Sequence, residues 1–119
     1  YLLEKEKRFM DGVVFMDKFL NQSEKQFEEK VKRLLKSRGA WVLKTWGGGL
    51  QRSGIPDLLI CYKGRFIGIE LKAEKGRVSE LQNRELKLIR DSGGMGFVLR
   101  PSQFGDLIAI LDSVDEGRL

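Results

Sequence analysis

The sequence predicts an α/β domain of order αβββαβα, in which a central mixed sheet is flanked by helices and an extra helical arm precedes the core. Short strand-like runs alternate with longer segments of helical apolar spacing. Glycine-containing breaks at Gly39, Lys63-Gly64 and Gly93 separate successive elements. The 119 residues suffice for a single core, and no internal repeat is visible.

The first helices are predicted from apolar spacing and from residues that begin or end helices. Residues 1–22 approximate helical spacing, with Gly12 as a weak point, and are predicted to form the N-terminal helical arm. Ser23 is suited to cap a second helix, which carries an apolar stripe and stops at Gly39. The core domain is therefore expected to begin at residue 23.

Two more helices are predicted in the second half of the chain. Ser79 can cap the first, which ends at Gly93, and Pro101 opens the second. A polar tail follows at residues 115–119, so the domain is expected to span residues 23–114.

Four strands are predicted, and the middle two form a hairpin. Lys63-Gly64 is a tight-turn signal between them. In the second strand of this hairpin, Ile67, Ile69 and Leu71 alternate with other residues, so one face belongs to the core and the opposite face carries the charges. The four runs are residues 40–45, 57–62, 65–72 and 95–100.

The composition excludes several reaction mechanisms but does not by itself identify the reaction. The 22 Lys and Arg exceed the 17 Asp and Glu, and a net charge of +5 weakly favours a polyanionic partner. The chain has no histidine, which excludes Ser-His-Asp hydrolysis, histidine-dependent nucleases and histidine-ligated zinc. Any hydrolysis must therefore use carboxylates, lysine, water and a hard metal ion.

The single cysteine and the apolar runs bear on the compartment. Cys61 lies in an apolar strand, has no partner for an internal disulfide and is expected to be buried packing in a reducing cytosol. No apolar run approaches the length that spans a bilayer, so no membrane partner is expected.

The most informative residues lie in and around the hairpin. Asp57 opens its first strand, and Glu70-Leu71-Lys72 closes its second. Side chains two apart on a strand share a face, so Glu70 and Lys72 project together and Leu71 points away. Two carboxylates and a lysine at one end of a hairpin can hold a divalent cation beside a phosphate. This pattern indicates a metal-dependent phosphodiesterase.

These motifs resemble a known nuclease group. Glu28 on a leading helix, GIPD at 54–57, ELK at 70–72 and Gln82 on the next helix look like the PD-(D/E)xK nuclease superfamily. Over residues 23–112 the chain is similar to the stand-alone VRR-NUC nucleases of phages and prophages, which are related to Holliday junction resolvases. The resemblance implies a restriction-endonuclease-like fold and a Mg²⁺- or Mn²⁺-dependent endonuclease that cleaves DNA by water attack.

The resemblance also implies roles for individual residues. Asp57, Glu70 and the backbone carbonyl of Leu71 are expected to bind the metal, and Lys72 to orient the attacking water or stabilise developing charge. Glu28 is expected to complete the metal site, directly or through water, although Glu24 one turn earlier is an alternative. The predicted catalytic set is Glu28, Asp57, Glu70, Lys72 and Gln82, the last of which would position water or phosphate.

Contacts with DNA are predicted from charge and position. Lys44 near the end of the first strand, Lys32 and Lys36 on the leading helix, and Arg52 in the loop at residues 46–54 are candidates. That loop is glycine-rich and is equally compatible with a flexible connector. The tryptophans Trp41 and Trp46 can stack on bases, but packing at the core or its rim is the favoured interpretation.

Two alternative functions remain at the level of sequence. A Holliday junction resolvase differs from a general phage nuclease only in substrate, and in both cases two protomers would pair to act on two strands of DNA. A non-catalytic DNA-binding module on a nuclease fold belongs to another class, and the presence of Asp57, Glu70 and Lys72 together argues against it.

Overall fold

The computed structural model describes residues 12–47 and 52–119, with only the helical backbone described for residues 12–22. The predicted order αβββαβα is confirmed. The elements are α1 (Gly12–Ser37), β1 (Trp41–Lys44), β2 (Leu58–Tyr62), β3 (Arg65–Leu71), α2 (Glu80–Asp91), β4 (Met95–Leu99) and α3 (Phe104–Asp115), with a 3-10 turn at Pro101–Gln103.

The strands form one mixed sheet in the order β1-β2-β3-β4. β1 pairs with β2, and β2 with β3, in antiparallel fashion, whereas β3 and β4 are parallel. The parallel pair requires a crossover, and α2 supplies it. The sheet is therefore mixed, as the sequence predicts.

α1 differs from its prediction at its beginning. The helix is continuous from Gly12 to Ser37, so Ser23 lies inside it and the predicted cap at Ser23 is wrong. An exposed serine in a helix interior costs only a fraction of a kcal/mol, roughly 0.5 relative to alanine, so it does not interrupt a long helix. The predicted stop is confirmed: Gly39 has φ +84°, and the Ala40 amide returns to the Leu35 carbonyl at 3.0 Å. Residues 1–11 of the predicted arm lie outside the described residues.

One face of the sheet carries the main core. Helices α1 and α3 pack against the buried side chains of β2, β3 and β4. The burial of apolar surface stabilises this packing. The fully buried members are Val31, Leu35, Leu58, Ile60, Ile67, Ile69, Leu107 and Leu111.

α2 lies against the other face, over β3 and β4. Gly68 and Gly96 are register partners on these neighbouring strands. A Cβ on Gly68 would come within 2.7 Å of Ile89 Cδ1, and one on Gly96 within 2.7 Å of the Leu86 carbonyl oxygen. The absence of side chains at this glycine pair therefore allows the backbone of α2 to approach the sheet closely.

The hairpin between β2 and β3 aligns the acidic residues. Lys63 and Gly64 both have positive φ, at 49° and 81°, which is the signature of a type I′ turn and confirms the predicted tight turn. The resulting register places Leu58 opposite Ile69. Asp57, one residue before Leu58, is thereby brought to the end of β3.

The remainder of the α2-side face is open. Trp41 pairs with Cys61, and Cys61 with Phe66, so these three side chains form a row across β1, β2 and β3. Cys61 is exposed, and Trp41 and Trp46 are 58% and 76% exposed. The predictions of a buried Cys61 and a packed Trp41 are wrong because α2 lies over β3 and β4, and the prediction of a packed Trp46 is wrong because this residue lies beyond the end of β1 and is exposed. We call Trp41, Leu43, Cys61 and Phe66 the open sheet face.

Membrane insertion has no support in the described helices: none combines the length and the apolarity that a bilayer crossing requires.

Candidate active site

Asp57 is fixed by contacts on both sides of its peptide. The Thr45 amide donates to the Asp57 carbonyl at 2.9 Å, and the Thr45 hydroxyl donates to the Pro56 carbonyl at 2.8 Å. On the side-chain end, Asp57 Oδ2 accepts a hydrogen bond from the Leu71 amide at 2.8 Å. The carboxylate is thus oriented toward the end of β3, beside the residue that precedes Leu71.

Glu70 is a buried acid next to that carboxylate. It is only 3% exposed. Its Oε2 accepts from Gln82 Nε2 at 2.9 Å and lies 3.6 Å from Lys72 Nζ. Its Oε1 is buried and has no hydrogen-bond partner among the described residues. Glu70 and Lys72 therefore share a face, as predicted, and one carboxylate oxygen remains unsatisfied.

The proton affinity of Glu70 is abnormal. Burial, and next the neighbouring Asp57 carboxylate, raise the pKa of Glu70 from 4.5 to about 7. The Lys72 ammonium acts in the opposite direction and lowers this pKa, but it does not outweigh burial. A carboxyl group poised near neutrality beside a second acid is typical of functional sites.

Gln82 is oriented by the beginning of α2. Ser79 caps this helix as predicted: its hydroxyl accepts from the Gln82 amide at 3.1 Å, while Gln82 Oε1 accepts from the Ser79 amide at 2.9 Å. Because the side-chain oxygen is used by the cap, the amide nitrogen is directed at Glu70. A capping box thus fixes the side chain that the sequence singles out.

The residues of this group fit a hard divalent cation. Two adjacent carboxylates, one with a buried oxygen that lacks a partner, are a set of oxygen donors whose mutual repulsion a cation would relieve. Within residues 12–47 and 52–119, no group of three or more Cys, Asp or Glu side chains is arranged to hold a metal ion. Asp57 and Glu70 would accordingly need backbone oxygens or water to complete a coordination sphere.

Glu28 belongs to a second group of charges. Its Oε1 lies 2.9 Å from Lys44 Nζ, and its Oε2 lies 3.3 Å from Lys32 Nζ. Lys32 also contacts Glu29 at 2.9 Å. The structure thus places Glu28 with two of the predicted DNA-binding lysines, not in a carboxylate cluster with Asp57 and Glu70. Glu24, the alternative, is exposed.

The other predicted DNA contacts differ in their surroundings. Arg52 Nη2 lies 2.8 Å from Glu85 Oε1, and Glu85 is only 4% exposed. Lys36 is exposed on α1. Residues 48–51 of the predicted DNA-approach loop lie outside the described part of the chain.

Sequence reasoning missed Thr45 and Glu85. Glu85 follows Gln82 by three positions and shares its helix face, which is a signal that was available. Thr45 acts through hydrogen bonds to the backbone carbonyls of Pro56 and Asp57. No sequence pattern predicts these contacts.

Comparisons with known proteins identify the family and the fold. The fold and the site define an α/β protein of the nuclease type, and the family model for the VRR-NUC domain matches residues 5–103. The chain belongs to the VRR-NUC family. A solved VRR-NUC domain is 30% identical with a TM-score of 0.62, covering 72% of this chain and 94% of that one.

A second solved structure shares less with the chain. It is Hjc of Archaeoglobus fulgidus, a Holliday junction resolvase, which is 20% identical with a TM-score of 0.49 over 65% of this chain and 69% of that one. No curated protein matches the sequence.

Proposed function

We propose that this VRR-NUC protein is a divalent-metal-dependent endonuclease that hydrolyses DNA phosphodiester bonds at Asp57, Glu70 and Lys72. The observation that carries the proposal is the buried Oε1 of Glu70 beside Asp57, which has no hydrogen-bond partner in the described part of the chain, together with an ammonium on the same face. Mg²⁺ or Mn²⁺, held by Asp57, Glu70 and the Leu71 carbonyl, would supply charge neutralisation and acidify water at neutral pH.

The protein's own residues would each contribute a distinct effect. Lys72 would orient the attacking water or stabilise the charge that develops on the phosphate, since its ammonium lies on the Glu70 side of the strand. Gln82, fixed by the Ser79 cap, would hold Glu70 in one orientation. Glu28 would act only indirectly, through Lys44 or a bridging water, because its oxygens contact lysines.

The substrate is proposed to be structured or branched DNA, and a Holliday junction resolvase is the narrower form of the same proposal. Both follow from the family and from the resemblance set out above. Encoding by a phage or prophage, and a location in the bacterial cytoplasm, remain predictions from that resemblance.

We also propose that two copies pair, which would let two strands of DNA be reached. The open sheet face supports this, because it presents exposed apolar side chains on β1, β2 and β3. A second copy that packed on this face would cover the exposed Trp41, Leu43 and Phe66 side chains of both protomers.

Cleavage of labelled four-way, flap and linear duplex DNA with Mg²⁺ or Mn²⁺ tests the proposal. Wild type is expected to cut at least one substrate, and Lys72→Ala to reduce the rate by a factor of about 100 or more. The matched control is Lys87→Ala, an exposed lysine on α2 that pairs with Asp91 and is expected to cut normally.

Direct binding of Mn²⁺, followed by the loss of its free-ion EPR signal, gives a readout that does not depend on turnover. Wild type is expected to bind the ion and Glu70→Gln to bind it weakly. Wild type that binds DNA but neither cuts it nor binds Mn²⁺ would establish the non-catalytic DNA-binding module instead.

A further inference from the structure

Several cations that the sequence nominates for DNA binding are already neutralised within the protein. Lys32 and Lys44 contact Glu28, and Arg52 contacts Glu85, at distances between 2.8 and 3.3 Å. Binding a phosphate at any of these side chains would require competition with an internal carboxylate. Cations near Lys72 that have no such partner among the described residues are therefore better placed to bind phosphate.

The segment between β3 and α2, residues 73–78, has an unusual support, and we call it the β3–α2 loop. The Arg100 guanidinium on the chain after β4 donates through Nη1 to three of its carbonyls, those of Ala73 at 2.6 Å, Glu74 at 3.1 Å and Gly76 at 2.8 Å. The Glu74 carboxylate accepts from the Ser102 amide, with both oxygens at 3.2 Å. The loop is therefore held in one conformation from two directions.

This support brings the loop against the candidate active site. The Gly76 amide donates to the Ala73 carbonyl at 3.0 Å, which closes a tight turn. A Cβ placed on Gly76 would be 3.6 Å from Lys72 Cδ, which is ordinary van der Waals contact. The turn thus packs along the stem of the same lysine whose ammonium faces Glu70.

Lys75 and Arg77 are the exposed cations of this loop, and the Glu74 carboxylate beside them is held by the Ser102 amide. Among the described residues, neither cation lies within 4 Å of an acidic oxygen. The carbonyls of Ala73, Glu74 and Gly76 accept hydrogen bonds from Arg100, so these three backbone acceptors are engaged on the Arg100 side of the loop. A fixed pair of cations next to a phosphodiester site is suited to neighbouring phosphates.

We propose that the β3–α2 loop binds the nucleic-acid backbone through Lys75 and Arg77, next to the bond that is cut, and that Arg100 is a positioning residue for it. The assignment of the adjacent bond rests on the proposed function, whereas phosphate binding by the loop does not require hydrolysis. The ligand class is a polyanionic backbone and not a particular base sequence.

The experiment measures equilibrium binding of a fluorescein-labelled duplex in EDTA over a series of salt concentrations. Each phosphate contact contributes about 0.9 to the slope of log K against log salt. The double variant Lys75→Gln/Arg77→Gln is expected to reduce that slope by about 1.8 relative to wild type. The exchange variant Lys75→Arg/Arg77→Lys keeps both charges and is expected to retain the wild-type slope.

Lys63→Gln is the control for net charge, because Lys63 lies at the opposite end of β2 from Asp57 and pairs with Asp115. It is expected to leave the slope unchanged. A double variant with the wild-type slope, or the same loss in Lys63→Gln, would overturn the proposal. Since EDTA removes divalent ions, a protein that cuts no DNA but shows the expected loss of slope would refute the nuclease and keep the binding loop.

Discussion

The Leu71 amide donates to Asp57 Oδ2 at 2.8 Å, so the carboxylate at the start of β2 is held by the strand that carries Glu70. Asp57 therefore has a structural role, as the acceptor for the Leu71 amide, in addition to its proposed role as a metal ligand. The two roles respond differently to substitution, which allows them to be separated.

Asp57→Ala and Asp57→Asn are expected to abolish cleavage alike but to differ in stability. Alanine leaves the Leu71 amide without its acceptor, which costs about 1–3 kcal/mol of unfolding free energy. Asparagine retains an acceptor and removes the repulsion with Glu70, so it should be no less stable than wild type. Urea unfolding, beside the cleavage assay, measures both. Equal destabilisation by the two substitutions would contradict the structural role of this hydrogen bond.

The raised pKa of Glu70 predicts that the free energy of unfolding of the metal-free protein depends on pH. Its pKa is raised from 4.5 to about 7, so the folded state holds a proton that the unfolded state releases. The associated stability is fully present below the ordinary pKa and is lost as pH rises through about 7. Relative to Glu70→Gln, which does not titrate, wild type should lose about 3 kcal/mol between acidic and mildly alkaline pH.

Urea titrations of wild type and Glu70→Gln across this pH range provide the measurement. Adding Mn²⁺ at the alkaline end should restore the stability of wild type and leave Glu70→Gln unchanged. A constant difference between the two proteins at all pH values would show that Glu70 keeps its ordinary pKa.

The glycine pair beneath α2 predicts a graded series of alanine variants. Gly96→Ala meets the Leu86 backbone carbonyl at 2.7 Å and should cost about 2 kcal/mol or more, since backbone cannot yield locally. Gly68→Ala meets the end of the Ile89 side chain at 2.7 Å and Pro56 Cγ at 3.2 Å; because both are side-chain atoms and the Ile89 end can change rotamer, its cost should be smaller than that of Gly96→Ala. Gly105→Ala in α3 meets nothing within 4 Å and should stabilise by about 0.5–1 kcal/mol. Thermal unfolding ranks the three, and a reversed order would refute this packing.

Substitution of Arg100 is expected to make the β3–α2 loop sensitive to protease. Arg100→Ala frees three carbonyls of the β3–α2 loop, so trypsin should cut after Lys75 and Arg77 at least several-fold faster than in wild type. Arg90→Ala is the matched control, because Arg90 donates to the Gly96 carbonyl away from this loop. Mass spectrometry of the first fragments identifies the sites. The same acceleration in both variants would indicate general destabilisation.

Cys61 gives a built-in probe of pairing. Because it is the only cysteine and is exposed on the open sheet face, a second copy on that face should slow its reaction with a thiol reagent as protein concentration rises. Trp41→Lys should abolish this protection and shift sedimentation toward the monomer. Reactivity that is independent of concentration in a protein that sediments as a dimer would place the interface elsewhere.

The fold was largely predictable because its signals are local. The Lys63-Gly64 turn, the Gly39 stop and the Ser79 cap each act within a few residues, and all three are confirmed. Ser23 failed for the same reason: a serine before an acidic, apolar-striped segment looks like a helix start, yet nothing in that pattern reports whether helix already precedes it.

The site was predictable in its strand residues and less so elsewhere. The period of a strand places Glu70 with Lys72, and the hairpin register brings Asp57 beside them. The partners of Glu28, by contrast, depend on how α1 crosses the sheet, and the exposure of Cys61 depends on how much of the sheet α2 covers. Both properties depend on tertiary packing, which local sequence patterns do not predict.

The closeness of α2 to the sheet has a consequence for acid–base behaviour. Glu70 is shielded from water because the helix that carries Gln82 rests directly on two residues that have no side chains, Gly68 and Gly96. A wider gap between the layers would hydrate the carboxyl group and return it to ordinary acidity. The distance between α2 and the sheet at these two glycines therefore influences the pKa of Glu70, although neither glycine contacts a reacting atom.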